Sequence, residues 1–592
     1  MLGSPRMALE DLGLIGNCQI SALVDRSGAV TWSCLPRFDS DPVLGALLDP
    51  EGGSFLIGAA GGELGIQRYL PNTNVLETRF ETGGGAFRVI DFAPRFVQYE
   101  RTFRPTQIVR IVEPLSGTPR IRVSCDPVLG WSRQRPRQQA GSHHVSYLGY
   151  ESELRLTTDI PLSYLCTDSF ALTKRQHFVL SWGQPVEEPL APLCERFLAN
   201  TIRHWQQWVK LCDIPPLYQR QVIRSALALK LHCFEDTGAI VAAMTTSLPE
   251  SPGSGRTWDY RYCWLRDAYY ALGAFRLLGH FDEREQFLGF LMDVASRSPD
   301  LELAPLYRID GRSNLEERIL EHWKGYEGHG PVRVGNQAAQ HRQNDVFGEM
   351  VLALQPLFVD ERSLEQVTPA SLDLVELLAL KAIQVAGQPD AGIWEYRNAW
   401  RPQTFSTLMC WAAADRAARI CERHRPARAH SFAEEAERLR ALILREAVDA
   451  NGSLVADHGG AGHDASLLQA VTLRLLPPTD PRMIATVDTL RRELDLGGWL
   501  KRYSAPDDFG VPEVAFTLCT YWLVEALVAT GRRDEARELF EKTHSIVSPL
   551  GLLSEDVDPK THRMWGNFPQ AYSHVGVIHA AFAASPPWSE VG

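Results

Sequence analysis

The spacing of apolar residues changes once along the chain. Up to about residue 190 they come in short β-branched or aromatic runs with a period near two, separated by clusters of Gly, Pro, Asn and Asp. Runs at 20–24, 29–33, 75–80, 87–92, 106–112, 120–124, 154–158 and 177–182 read as strands, the first two joined by a hairpin-type turn, DRSG. Many short strands with regular turn signals point to a β-sandwich. From residue 216 the period becomes helical. Twelve helices are predicted, at 216–234, 264–278, 281–297, 337–357, 366–387, 403–423, 428–447, 465–475, 480–493, 515–530, 532–547 and 570–584. The stretch between, 190–215, reads as a helical linker on which Trp205 and Trp208 share a face and dock on a core. The expected organisation is a β-sandwich over 1–189, the linker, and a helical domain over 216–592.

The connections between the predicted helices alternate in length. Short turns lie at 278–281, near His424, at 476–479 and at 530–533; long loops span 235–263, 298–336, 388–402, 448–464, 494–514 and 548–569. This is the pattern of six helical hairpins. Closed into a ring, they bring all six long loops to one end, where the loops build one pocket.

Composition narrows the class. With 592 residues the chain exceeds one ordinary core, and 45% hydrophobic with 22% charged residues is globular. A net charge of −12 argues against nucleic acid or an anionic membrane as the main partner; the basic stretch 132–139, SRQRPRQQ, reads as a solvated loop. No run of eighteen apolar residues is present, and the N-terminus lacks a signal-like apolar region. The eleven Cys are scattered, as in a reduced, cytoplasmic protein. No metal-ligand spacing and no nucleotide-binding glycine loop occurs, so no cofactor is implied.

The long loops carry the candidate chemistry. Residues 256–271, RTWDYRYCWLRDAYYA, place Trp258, Tyr260, Tyr262 and Trp264 ahead of Arg266 and Asp267. Aromatic faces match the C–H faces of a sugar ring, and an Arg–Asp pair suits its hydroxyls; an ordinary ion pair among core aromatics explains the same residues equally well. Residues 388–397, QPDAGIWEYR, set Glu395 directly after Trp394, an apolar neighbour that favours a protonated acid. Residues 548–559, SPLGLLSEDVDP, carry Glu555. Glycoside hydrolysis needs two carboxyl groups flanking one bond, about 6.5–9.5 Å apart when water attacks directly. Arg502 and Tyr503 in the fifth loop are further ligand candidates. His329 reads as an exposed loop histidine, and the polar segment 36–49 reads first as structural support, with reach to a neighbouring site as the alternative.

Taken together, TWDYRYCWLRDA, PVRVGNQA with QNDVFGE, GIWEYR, KRY, SED and GNFPQAYSH resemble glycoside hydrolase family 15, which contains glucoamylases and certain prokaryotic trehalases. Residues 13–40 are similar to the β-domain of its prokaryotic members. The resemblance implies an N-terminal super-β-sandwich followed by an (α/α)6 barrel, and inverting release of glucose from the non-reducing end of an α-glucoside. It implies Glu395 as general acid and Glu555 as general base. It further implies Arg266, Asp267, Tyr260 and Trp264 around the glucose, with Trp394 beside the acid and Arg502 near the bond to be cut. Arg333 and Asn336, in VRVGN, are also implied to bind substrate.

One departure from relatives stands out. Where many carry a T-H-S-K-like segment, this chain has TFST at 404–407, so Phe405 and Thr407 are expected to alter the leaving-group subsite; Trp323 is expected to reshape the outer pocket. The principal expectation is a glucoamylase-like exo-hydrolase of a small or oligomeric α-glucoside, with a trehalase as the alternative. A glycoside phosphorylase would need only one catalytic carboxylate, and a non-catalytic sugar-binding protein would lack one; both glutamates are present.

Overall fold

The period-two half of the chain forms two antiparallel sheets in the computed structural model, which describes residues 7–298 and 300–591. One sheet runs in the order Gly13–Gly16, Ser21–Val24, Ala29–Cys34, Ser54–Ala59, Arg120–Asp126, Phe170–Ala171, with Pro42–Leu44 beside the third of these. The other runs Arg137–Ala140, His144–Leu148, Leu154–Thr158, Gln176–Trp182, Gln107–Gly117, Gly85–Phe92, Leu76–Thr82, Ile66–Tyr69. The basic stretch expected as a loop thus ends in an exposed edge strand, Arg137–Ala140.

Parity along the central strands explains why they are apolar on both faces. Phe87, Val89, Ile108, Val112, Phe178 and Leu180 point into the space between the sheets. Their alternates Ile90, Phe92, Val109, Ile111 and Val179 point outward and are covered by Leu193, Cys194, Phe197 and Leu198 of helix α1, Leu190–Lys210. This helix therefore serves as a third layer on the sandwich. Its Trp205 is fully buried, and Trp208 stacks on His280 with ring centroids 4.3 Å apart. Between the sheets, the buried Arg110 donates to Asp91 at 2.7 Å and to the carbonyls of Phe55 and Gly28 across the gap, both at 2.6 Å.

Among the described residues twelve helices follow: α2 Gln219–Leu231, α3 Leu265–Leu277, α4 Asp282–Ser296, α5 Asp345–Val359, α6 Pro369–Val385, α7 Thr404–His424, α8 Pro426–Glu446, α9 Gln469–Thr472, α10 Pro481–Glu493, α11 Thr517–Ala529, α12 Arg533–Lys542 and α13 Ala571–Ala584. Helices α3, α5, α7, α9, α11 and α13 pack each on the next and close back on α3, with the turn Ala465–Leu468 completing the short α9. The other six form an outer layer. Burial separates the two rings: α11 and α13 are buried almost all round, whereas α8 buries only the stripe Phe432, Ala436, Leu439 and Ile443. The inner ring is tight enough that a Cβ on Gly348 of α5 would lie 2.2 Å from the Met409 carbonyl of α7. Each inner helix begins where a long loop ends, so all six run parallel and aim their N-termini at the loop end of the ring.

Several boundaries differ from the periodicity for local reasons. Helix α8 starts at Pro426, which suits a first helical position. Helix α6 starts behind a capping box of Thr368 and Ser371 with Pro369 in its first turn. The expected helix at 337–357 divides into a 3-10 turn, Gln337–Gln340, and α5; the break carries Gln343 toward the ring mouth.

The sandwich buttresses the first long loops. Trp32 Nε1 donates to the Met244 carbonyl at 2.8 Å, and Arg261 Nη1 to the Ser40 carbonyl at 2.6 Å. Segment 36–49 is used in this contact and not at the pocket: Arg37 pairs with Asp310, and Asp49 accepts from the Lys324 amide. Trp323 corrects its expectation too, being buried with Nε1 on the Trp131 carbonyl at 2.9 Å and its ring edge-to-face with Trp131. A chain of ion pairs joins the domains: Arg95 to Glu235 at 2.6 Å, Glu235 to Lys230 of α2 at 2.6 Å, and Lys230 to Glu283 of α4 at 2.8 Å.

Arg95 and Lys230 hold the Glu235 carboxyl well below its ordinary value near 4.5 despite burial. Its folded-state pKa is depressed, so its stabilisation is full at neutral pH and is lost as pH falls below about 4.5. We expect Glu235→Gln to destabilise the protein by about 3–5 kcal/mol at pH 7. The difference in Tm from wild type should shrink steadily between pH 5 and pH 3. A difference independent of pH would show that the charge is not what matters.

Candidate active site

Five of the six long loops line one pocket at the N-terminal ends of the inner helices; the fourth, 448–464, supplies no lining residue among those described, against the expectation that all six would. Trp264 is set by the two-residue pairing of Cys263–Trp264 with Leu306–Tyr307, and α3 begins at the next residue. Arg266 and Asp267 thus stand in the first turn of α3, both almost fully buried.

Glu395 sits on a tight turn. Its backbone has φ +61°, a left-handed conformation that costs a non-glycine residue about 1–2 kcal/mol. The turn holds because Tyr396 N donates to the Ala391 carbonyl at 3.0 Å and Glu395 N to the Gly392 carbonyl at 3.1 Å. At its base, Pro389–Asp390 pairs with Arg401–Pro402. The buried Asp390 carboxylate accepts from the Asn344 amide at 2.9 Å and Ser406 Oγ at 2.7 Å, and burial raises its pKa to about 7.

One oxygen of Glu395 is heavily committed. Oε1 accepts from Trp264 Nε1 at 2.7 Å, from Arg266 Nη2 at 3.1 Å and from Gln343 Nε2 at 3.1 Å. Trp394, expected to flank this carboxyl, instead packs its ring on Tyr503, Phe516 and Trp522 at 5.8, 5.9 and 6.5 Å. Arg266 is itself locked by Tyr572 Oη at 3.0 Å and Gln343 Oε1 at 2.7 Å. Burial lifts the Asp267 carboxyl to about 7, against the pull of Arg266 and Tyr572.

Glu555 precedes the middle strand of a three-stranded sheet, Asp556–Val557 between Ala515–Phe516 and Met564–Trp565. Its backbone is tied on both sides, to Thr517 N and to the Asn567 carbonyl. Gly566 at φ +74° leaves room for it, since a Cβ there would lie 2.6 Å from Glu555 Cβ. The Glu555 side chain is 1% exposed. Oε1 accepts from Tyr260 Oη at 2.8 Å and Oε2 from Asn567 N at 3.4 Å. Burial raises its pKa, while Arg502, Tyr260 and the Asn567 amide pull it down. Its neighbour Asp556 has one oxygen buried without a donor; burial and the adjacent Glu555 push that carboxyl far up.

Tyr260 and Trp264 connect the two glutamates. Their rings meet edge to face at 5.3 Å, Tyr260 donating to Glu555 and Trp264 to Glu395. The outer wall is a charged and aromatic network. Arg502 forms an ion pair with the buried Glu250, which also accepts from Trp258 Nε1 at 3.0 Å. Arg256 forks onto Asp507, which Tyr503 also reaches. Over the mouth, Arg397 lies against Trp258 and Phe509 at 4.8 and 5.2 Å, and its amide donates to Asp508 at 2.8 Å.

Of the residues singled out from sequence, Tyr260, Trp264, Arg266, Asp267, Trp394, Glu395, Arg502, Tyr503, Glu555 and Asn336 line this pocket. Asn336 does so while capping the turn Gln337–Gln340, its Oδ1 accepting from Ala338 N. Arg333 lies behind the wall: Nη1 is spent on the carbonyls of Gly255 and Thr257 and on Thr257 Oγ1, and the guanidinium stacks on Trp258 at 4.8 Å. His329 packs on Trp565 at 6.0 Å, outside the pocket. Phe405 and Thr407 are core residues of the first turn of α7; both are 1% exposed, and Thr407 Oγ1 is bound to the Gln403 carbonyl at 3.0 Å and to His458. They do not form the pocket wall, so their departure from relatives concerns packing under the loop. Gln343, Tyr572, Glu250, Arg256, Arg397, Asp507 and Asp508 were not foreseen. Gln343 and Tyr572 lie within the quoted QNDVFGE and GNFPQAYSH segments beside inner-helix starts, which was the available signal.

The pattern of Glycosyl hydrolases family 15 matches residues 216–582, and that of a trehalase-like N-terminal domain matches residues 1–158. A protein named trehalase from Mycolicibacterium smegmatis is 35% identical over 98% of this chain and 91% of its own length. Another of that name from Thermoplasma volcanium is 31% identical over 96% and 92%. A crystal structure of a bacterial glucoamylase complexed with acarbose superposes with a TM-score of 0.66 at 15% identity, covering 98% of this chain and 95% of that one, and so shares the sandwich-plus-barrel fold. The chain is therefore a glycoside hydrolase, and it belongs to glycosyl hydrolases family 15.

Proposed function

We propose that this protein is a trehalase that works by inversion, with Glu395 as general acid and Glu555 as general base. The observation that carries the acid–base assignment is the Tyr260–Trp264 bridge, which ties one aromatic donor to each glutamate in a single pocket. With Oε1 of Glu395 occupied by three donors, Oε2 is the oxygen for the proton passed to the leaving glucose. Glu555, whose carboxyl burial raises and Arg502, Tyr260 and Asn567 N draw back down, takes a proton from the attacking water. Arg266 and Asp267, in the first turn of α3, suit the hydroxyls of the glucose between them.

The choice of trehalose over longer α-glucans rests on two supports. The relatives aligned over almost the whole chain are named trehalases, whereas the glucoamylase likeness lies at the level of fold. This moves the preferred reading from the glucoamylase-like one to its trehalase alternative. The bonds of Arg397 and Asn398 to Asp508 also draw two loops together across the mouth, which favours a disaccharide over a chain.

Trehalose, maltose, isomaltose, kojibiose and maltodextrins should be compared by kcat/KM, with the released anomers followed by NMR. Trehalose is expected to be the best substrate and to give one β-glucose and one α-glucose per turnover. Initial release of α-glucose alone would exclude inversion, and a preference for maltodextrins would restore the glucoamylase reading. Glu395→Gln and Glu555→Gln should each lower kcat by about 10²–10⁴-fold with little change in Tm; near-normal turnover of either variant would refute its role. Tyr260→Phe removes a hydrogen bond that lowers the Glu555 pKa. The acidic limb of its kcat/KM profile should therefore move to higher pH, and an unmoved limb would detach Glu555 from the base role.

A further inference from the structure

Beside Arg266 the inner ring encloses two further carboxyls. Asp345 opens α5, and Glu349 follows one turn later on the same helix face. Both are fully buried. Their carboxyls lie within hydrogen-bond reach of each other, and among the described residues no other side chain donates to their oxygens. The cation beside them is Arg266, whose Nη1 stands 3.7 Å from Asp345 Oδ2. The same guanidinium donates through Nη2 to Glu395 Oε1 at 3.1 Å. Arg266 therefore links this buried pair to the general acid.

Two ionised carboxylates this close and this dry repel each other, and neither has a proton to donate. With one proton between them, one carboxyl donates to the other and the pair carries a single charge. The helix indicates where that charge rests. Asp345 is the first residue of α5, where the free amides of a helix start favour an anion, and it is the member paired with Arg266. Burial and the charge of Asp345 drive the Glu349 carboxyl far up, against the pull of Arg266.

We propose that Asp345 and Glu349 are positioning residues for the general acid: sharing one proton, they set one negative charge against Arg266 and so allow Glu395 to keep its own proton beside that guanidinium. This rests on Glu395 being the acid. Without the charge, Arg266 favours the Glu395 carboxylate, and the acid loses its proton at lower pH. The pair is also faced by Asp267, Tyr269 and Tyr270 of α3, Tyr572 of α13, Asp390 of the third loop and Cys410 of α7. Glu395 is faced as well by Asp267, Tyr260, Glu555 and His341. Arg266 is the cation common to both sets.

The test is the pH profile of kcat/KM for the preferred α-glucoside, measured on the full-length protein and its variants. Glu349→Gln replaces the shared proton by an amide donor and leaves the charge on Asp345. Its alkaline limb should stay where the wild type has it. The double variant, Asp345→Asn with Glu349→Gln, removes the charge. Its alkaline limb should move to lower pH by about half a unit or more, with the loss concentrated on that limb. An unmoved limb in the double variant would overturn the proposal, as would an equal loss at every pH, which is what a structural role alone produces. A limb already shifted in Glu349→Gln would overturn it too, because the pair would then hold two charges. Should the double variant not fold, Asp345→Asn decides. Its amide leaves the charge on Glu349, one turn along α5, so a smaller shift in the same direction is expected and an unmoved limb again overturns the proposal. Near-normal turnover by Glu395→Gln is a separate failure, since it removes the acid and not the influence of the pair on it.

Discussion

The site depends on holding two carboxyl groups in one pocket, each on its own set of donors. Glu555 feels the nearby Glu395, and donors are aimed at particular oxygens of both. Tyr260 and Trp264 are the centre of this arrangement because one short segment serves both acids. Arg266 and Gln343 complete the set at Glu395, while Asn567 N and Arg502 complete it at Glu555. The neighbouring carboxyls are treated differently: burial pushes Asp556 far up and lifts Asp267 and Asp390 to about 7. The pocket is crowded with acids, but few of them need carry charge together.

That local arrangement needs a rigid frame, and the frame has two parts. The ring of parallel inner helices places six loop ends around one axis, with helix N-termini and their free amide dipoles facing the pocket. The sandwich then backs the first two long loops through Trp32, Ser40, Asp49 and Trp131. Among the described residues the β-domain contributes none to the pocket wall, yet it braces the loop that carries Tyr260 and Trp264. The ion-pair chain from Arg95 to Glu283 fastens the two parts where α2 and α4 meet the sheets.

Much of this was legible along the chain. The change of period near residue 190 and the alternation of short and long connections marked strands, hairpins and a shared loop end, because binary patterning reflects which face of each element is covered. The two glutamates stood out for their Gly- and Pro-bounded loops, and the family resemblance gathered them into one motif set. The readings that failed concerned how far a side chain reaches. Phe405, Thr407 and Trp323 sit near pocket residues in sequence, but a helix turn and a buried indole direct them into the core. Arg333 lies in a recognisable motif, yet its guanidinium is consumed by the carbonyls of a neighbouring loop.

The sequence alone determined which segments are strands or helices, which loops are long, and which residues carry acids, because these follow from local periodicity and residue chemistry. Tertiary structure decided which donors meet which oxygen. Gln343, Tyr572, Glu250 and Asp507 come from four different loops or loop ends, and nothing in their spacing says that they converge. Contact across a closed ring depends on how six hairpins pack, and that geometry is not contained in any one stretch of the chain.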